Sequence, residues 1–185
     1  NDATIDTVVE AMGGVHPAYE FVRAAMEAGK NIVTSNKALV TTCYDELMPL
    51  AKEKGLQFRC TAAVGGGIGW LSELERARRV QKLNEVGGIM NGTCNYILDN
   101  MTRNGLDYAV ALKQAQELGY AEADPTSDIE GHDAARKIVI LAALVSGKLI
   151  SPESISVEGI TKITSADVAL AGQLGYSLRL VAVSG

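Results

Sequence analysis

The densest chemistry in the sequence lies at Leu118–Lys137, LGYAEADPTSDIEGHDAARK, where five carboxylates lead directly into an apolar run. Acids at the edge of a core need a partner or a task, because burying an unpaired charge is costly. Asp133 and Lys137 stand one helical turn apart, so a helix presents both on one face, where a carboxylate one turn ahead of an ammonium pairs with it. On a buried face, loss of hydration favours the neutral amine while the carboxylate favours the ammonium. That balance lets a lysine exchange a proton, as a general acid or base must. On a solvated face the same spacing makes an ordinary ion pair worth under about 1 kcal/mol.

Other polar breaks carry candidate groups. Glu122, Asp124 and Asp128 sit among Pro125, Thr126 and Ser127 and so belong to a loop, where they either cap and solvate or line a binding site. Carboxylates beside a buried lysine suit the ammonium and hydroxyl of a small amino-acid-like substrate. In VTSNKA, Val33–Ala38, a strand ends in Ser35, Asn36 and Lys37 at the carboxyl edge of a parallel sheet, where ligands of open α/β sheets bind. Lys37 there either meets a carbonyl or carboxylate, or simply follows a helix-capping asparagine. VGGGIGW, Val64–Trp70, fails the dinucleotide fingerprint, since Trp70 stands where its last glycine belongs. Its glycines still allow backbone groups to turn inward on an ion or a carboxylate, or form only a tight corner. Asn91, Gly92 and Thr93 break a strand from a helix whose first amides either receive an anionic group or are merely capped. His16 and His132 are distant and lie in no ligand pattern, so a catalytic metal is not indicated.

The elements that must position these groups follow from periodicity. Thr7–Met12 reads as a buried parallel strand. Next come an amphipathic helix from Pro17 with Ala18, Phe21, Val22, Ala25 and Met26 on its stripe, and a second strand at Ile32–Ser35. A helix from about Tyr44 to Lys54 and a strand over Leu56–Ala62 repeat the α/β pattern. Near Gly65 the rhythm changes to α+β. The expected elements are a helix over Leu71–Arg79, a strand over Val86–Met90, helices at Tyr96–Met101 and Tyr108–Leu118, a helix over Ala134–Val145 buried on several sides, a strand over Val157–Ile163, a helix over Ser165–Leu174 and a strand over Leu178–Val183.

Of the 185 residues, 47% are hydrophobic, enough for one compact core and the edge of a second. The net charge of −5 and the lack of any lysine or arginine run argue against a nucleic-acid partner. The longest apolar stretch, Ile138–Val145, is far short of the ~20 residues a bilayer requires, so no membrane association is expected. Cys43, Cys60 and Cys94 form no C-x-x-C pair and read as buried thiols of a reducing, cytoplasmic compartment. No signal peptide is recognisable.

EAMGG at Glu10–Gly14, TSNKALV at Thr34–Val40, NGTCNYIL at Asn91–Leu98 and the long acidic stretch ending in ARK resemble homoserine dehydrogenases, in order and spacing, over nearly the whole chain. The resemblance implies the C-terminal half of a Rossmann-like parallel sheet in residues 1–64. An α+β catalytic domain with a mixed sheet follows in residues 65–185, which would bind substrate and form a homodimer. It implies reversible reduction of L-aspartate 4-semialdehyde to L-homoserine with NAD(P), a step toward threonine, methionine and isoleucine. By the same resemblance Lys137 is the proton donor, Lys37 the second lysine at the reacting centre, and Asp133 the group that holds Lys137. Glu122 and Asp128 bind the substrate's amino and hydroxyl groups, while Gly92, Thr93 and Tyr120 line its pocket. Gly13, Thr34, Ser35, Asn36 and Lys37 fall on the nicotinamide side.

Family members hold a monovalent cation through carbonyls matching Val64, Gly66 and Ile68. Thr61 replaces the usual acid there and Gly69 the usual proline, which weakens that site. The family's glycine-rich phosphate-binding turn falls upstream of Asn1, so poor cofactor binding and no activity are expected of this chain alone. Two other functions stay open: a non-catalytic ligand-binding or assembly module of the same fold, and a dehydrogenase acting on another semialdehyde.

Overall fold

The computed structural model describes residues 2–147, 150–151 and 154–185. The chain forms two compact units. One is built from the described residues of 1–86, 136–152 and 185, the other from those of 87–135 and 153–184.

The first unit opens with β1 (Thr7–Glu10), α1 (Ala18–Glu27), β2 (Asn31–Thr34), α2 (Lys37–Glu53) and β3 (Phe58–Arg59). The strands lie side by side as β1-β2-β3, all parallel, with Val8 opposite Ile32 and Ile32 opposite Phe58. Parallel neighbours need a crossover, and the helices supply it. Ala18, Val22 and Met26 form one stripe of α1 and are buried against Ile32, Leu39, Leu47 and Ala51. Each large aliphatic chain so buried contributes about 1.5–3 kcal/mol.

Several expectations need correction. Phe21 falls beside the stripe of α1 and is 59% exposed. The sheet is packed on one pleat face only: Val8 and Ile32 face the helices, while Val9 and Val33, on the other face, are 71% and 37% exposed. Helix α2 begins at Lys37, not near Tyr44. The β-branched run Val40-Thr41-Thr42 argues weakly for helix, but burial of Leu39 and Val40 outweighs that propensity. The third strand stops at Arg59 because the chain turns at Cys60 into two 3-10 turns, Thr61–Ala63 and Gly66–Ile68, before α3 (Trp70–Val80).

The second unit begins within β4 (Val86–Gly88), after Val86, and contains α4 (Gly92–Asn104), α5 (Tyr108–Glu117) and the short α6 (Thr126–Ile129). The next helix, α7 (His132–Ser146), gives its first turn to this unit and the remainder to the first. Then come α8 (Ser165–Gln173) and β5 (Ala182–Ser184), which pairs with β4 in a two-stranded sheet. Ala111 and Ala115, one turn apart on α5 and fully buried, let that helix approach Cys94, Ile97, Leu98 and Met101 of α4 closely. Along α7, Ile138 through Leu144 are all buried, as an apolar circumference requires.

Here too the chain departs from its periodicity. Helix α4 starts at Gly92, a turn before Tyr96, and the acidic loop contains the helical turn α6. The strand expected over Val157–Ile163 is absent. Its backbone instead packs on α6, where the Ile160 amide donates to the Ile129 carbonyl at 2.8 Å. A Cβ at Gly159 would lie 2.2 Å from the Ile129 oxygen, so only glycine fits. The last strand shortens to Ala182–Ser184 because the Asn95 side chain takes a strand's part, accepting from the Leu180 amide at 3.1 Å and donating to its carbonyl at 3.2 Å.

Candidate functional site

In the first unit, a buried polar network lies where β1 and β2 end. Glu10, the last residue of β1, is 5% exposed, and a carboxylate so placed must be hydrogen-bonded. It accepts from the Met12 amide at 2.6 Å, from Asn36 Nδ2 at 3.4 Å and from the Thr34 hydroxyl. Thr34 Oγ1 in turn accepts from the Asn36 amide at 3.0 Å. Asn36 donates through Nδ2 to the Gly14 carbonyl at 2.6 Å, and its Oδ1 caps α2 by accepting from the Leu39 amide at 3.0 Å. Half-buried Lys37 is thereby fixed in the first turn of α2, beside exposed Ser35. Gly13 lies exposed in the bend after β1, and a Cβ there would meet open space. The backbone at Gly13 is therefore open to solvent.

In the second unit, Asn91 organises the cluster. It is 4% exposed and caps α4, its Oδ1 accepting from the Cys94 amide at 2.9 Å. Its Nδ2 donates to Asp128 at 2.7 Å and to Asp133 at 3.0 Å, so one neutral amide holds two carboxylates together. Asp133 is 6% exposed, which rules out the solvated-face alternative for the start of α7. Lys137 follows one turn later on that helix, half-buried. The Cys94 thiol donates to the Asp128 carbonyl at 3.0 Å; burial, with Asp128 and Asp133 nearby, pushes it up to about 12. It is a structural donor at neutral pH, not a nucleophile.

Around this pair, the Thr93 hydroxyl donates to the Tyr120 carbonyl at 2.8 Å, and the Tyr120 ring stacks on Tyr96 with centroids 4.4 Å apart. Gly92 and Thr93 are the first residues of α4, where helix amides favour an anion. A carboxylate pair beside a helix N-terminus suits a zwitterion, its ammonium toward the acids and its carboxylate toward the amides. Glu122 is exposed, and among the described residues no hydrogen bond ties its carboxylate to the pair. Asp124 serves the helix instead: Thr126 donates its hydroxyl and amide to it and holds the carboxyl below the usual carboxylate range.

The glycine turn is shaped by Gly65 and Gly69, both left-handed at φ of 75° and 74°. Its bonds run from Ala63 N to the Cys60 carbonyl at 2.8 Å and from Ile68 N to the Gly65 carbonyl at 3.0 Å. Val64 is buried and Ile68 is 80% exposed. With Thr61 at the start of the turn, Val64, Gly66 and Ile68 contribute backbone carbonyls and no charged side chain to it.

Two organisers do more than their sequence signals disclose. Glu10 was legible as an acid closing the apolar run TVVE, and Asn91 as a capping residue ahead of a helix. Neither signal alone reveals that the side chain also ties two segments together.

Residues 70–184 match the model of the homoserine dehydrogenase family, and residues 1–61 match that of the homoserine dehydrogenase NAD-binding domain. The chain is 44% identical to the homoserine dehydrogenase of Corynebacterium glutamicum over 179 residues, covering 97% of this chain and 40% of that protein. It is 40% identical to the Bacillus subtilis homoserine dehydrogenase over 184 residues, covering 100% of this chain and 42% of that one. The chain thus spans about two fifths of these relatives. Among solved structures, a homoserine dehydrogenase from Thiobacillus denitrificans superposes with a TM-score of 0.92 at 44% identity, covering 97% of this chain and 42% of that one. A hyperthermophilic archaeal homoserine dehydrogenase mutant in complex with NADPH gives 0.84 at 28% identity, covering 97% and 52%. Matched across both the parallel sheet and the unit that carries the carboxylate pair, this chain belongs to the homoserine dehydrogenase family.

Proposed function

We propose that the protein to which this chain belongs is an NAD(P)-dependent oxidoreductase that reversibly reduces L-aspartate 4-semialdehyde to L-homoserine, in the biosynthesis of threonine, methionine and isoleucine. The observation that carries this reading is the Asp128–Asn91–Asp133 arrangement at the start of α4, which suits an amino-acid zwitterion. In this reading residues 1–64 contribute to the dinucleotide site and residues 65–185 hold substrate. Gly13, Thr34, Ser35, Asn36 and Lys37 belong to the loops on the side of the nicotinamide, which would supply the hydride when bound, with buried Thr34 and Asn36 shaping the backbone there. Lys137 gives its proton to the developing alkoxide, with Lys37 as the second cation at the reacting carbon and Asp133 as the group that orients Lys137. Asp128 and Glu122 take the substrate's amino and hydroxyl groups; Gly92, Thr93 and Tyr120 complete the pocket.

A monovalent cation on the carbonyls of Val64, Gly66 and Ile68 belongs to the same reading. Replacing sodium by N-methylglucamine is expected to lower the melting temperature, and an unchanged melting curve removes the ion. Exposed Val181 and Val183 on and beside β5 support self-association through that sheet as a homodimer, which light scattering of the full-length protein tests. No helix among the described residues is long and apolar enough to cross a membrane. The three free thiols suit a cytoplasmic setting.

The deciding experiment is steady-state kinetics of the full-length protein with aspartate semialdehyde and NADPH or NADH. Lys137→Ala is expected to lower kcat at least about a hundredfold with little change in KM, as for lost acid catalysis. Asp128→Asn is expected to raise KM chiefly. No turnover by the unsubstituted protein refutes the assignment, and near-normal turnover of Lys137→Ala removes that lysine from its role.

A further inference from the structure

We infer that Glu10 is a positioning residue for the nicotinamide half of the cofactor, acting through Asn36 and the two loops at the ends of β1 and β2. The inference rests on the dinucleotide-binding reading given above. A carboxylate is an unusual last residue on the helix-packed face of a strand, which Glu10 shares with Val8 and where burial favours apolar side chains. Its position is explained by what it joins. One oxygen receives the Met12 amide at 2.6 Å and Asn36 Nδ2 at 3.4 Å, and the other receives the Thr34 hydroxyl. Because a carboxylate only accepts, it fixes the direction of the whole chain of bonds: the Asn36 amide donates to Thr34 Oγ1, whose proton then goes to Glu10.

Asn36 is committed in every direction. One Nδ2 hydrogen goes to the Gly14 carbonyl at 2.6 Å, the other points to Glu10, and Oδ1 takes the Leu39 amide at 3.0 Å. Glu10 thus couples the Met12–Gly14 loop to the start of α2 without itself reaching the open edge at Gly13, since it is 5% exposed. A group bound on that edge meets a backbone whose shape is set in advance, which lowers the ordering entropy that binding must overcome.

Glu10→Gln preserves volume but presents an amide donor to Thr34, reversing part of the chain; Glu10→Ala removes it. The test uses the full-length protein and titrates it with its preferred dinucleotide, NADH or NADPH, and with the matching ADP-ribose fragment, which lacks nicotinamide. Affinity for the whole cofactor is expected to fall about tenfold or more in Glu10→Gln and further in Glu10→Ala, while fragment affinity stays within about twofold. Without cofactor, the Met12 and Asn36 amides are expected to exchange with solvent faster, with Val8 and Ile32 unchanged. Equal losses for cofactor and fragment, or no loss for either, overturn the role of Glu10. Failure of the unsubstituted protein to bind either dinucleotide instead overturns the functional reading, and this inference with it.

Discussion

Asn91 shows how much one neutral side chain can determine. Its Nδ2 hydrogens answer the Asp128 and Asp133 carboxylates while its Oδ1 caps α4, so charge and backbone are satisfied together. Asn91→Asp keeps the capping oxygen but sets a third carboxylate against two others. Like charges raise carboxylate pKa values in the folded state, so the deficit grows as pH rises through the carboxylate range and shrinks as it falls. Denaturant unfolding is expected to show a loss of about 2–4 kcal/mol at neutral pH that narrows in acid; a pH-independent deficit would show that repulsion is not the cause. The thiols give a second test. Burial pushes Cys60 up to about 11 and, with Asp128 and Asp133, Cys94 to about 12. A proton held more tightly in the folded state contributes stability that is complete below the ordinary thiol range and lost as pH rises toward those values. At mildly alkaline pH, alkylation is expected to reach half-buried Cys43 first, with Cys60 and Cys94 labelled only on unfolding. Rapid native labelling of Cys94 would contradict its bond to the Asp128 carbonyl.

At the scale of elements, the acidic stretch works because a short helix is wedged from behind. Helix α6 carries Asp128, and the backbone at Gly159 presses on its last residues. Gly159→Ala has no rotamer that avoids the Ile129 and Glu130 backbone, so the substitution must push the two segments apart. A loss of at least about 2 kcal/mol is expected, with Asp128 displaced from Asn91 and substrate KM raised. Full stability would mean that the segment does not support α6. Thr164, by contrast, closes a reciprocal cap on α8 with Asp167, so Thr164→Ala is expected to cost about 1 kcal/mol and leave KM alone. These elements also mark where the sequence could be read and where it could not. The stripe of α1, the all-round burial of α7 and the stops at Gly29, Gly119 and Gly175 follow from local rules. The missing strand at Val157–Ile163 does not, because its alternation was outweighed by one backbone contact with a residue far back in the chain. Helices α2 and α4 start early for a related reason: Asn36 and Asn91 signal caps, but only tertiary burial of Leu39 and Cys94 makes the first turns worth forming.

At the scale of the whole molecule, composition allowed one core and the edge of another, and the described residues fall into two compact units, one burying Ile32 between α1 and α2 and the other burying Ile97 between α4 and α5. No local pattern gives that division, since the first unit takes back residues from α7 long after the chain has left it. The division has a thermodynamic consequence. Ile32 anchors the core of α1 and α2, and Ile97 anchors the core of α4 and α5; both are fully buried, so truncating either to alanine is expected to cost about 2–5 kcal/mol. If each unit opens as its own cooperative body, the loss falls on its own amides. Hydrogen exchange of Ile32→Ala is therefore expected to accelerate through β1, β2, α1 and α2 well before α4 and α5. Ile97→Ala is expected to do the reverse. Equal acceleration across all six elements in both variants would mean that the chain opens as one body, and the two cores would then be a geometric distinction without a separate energetic existence.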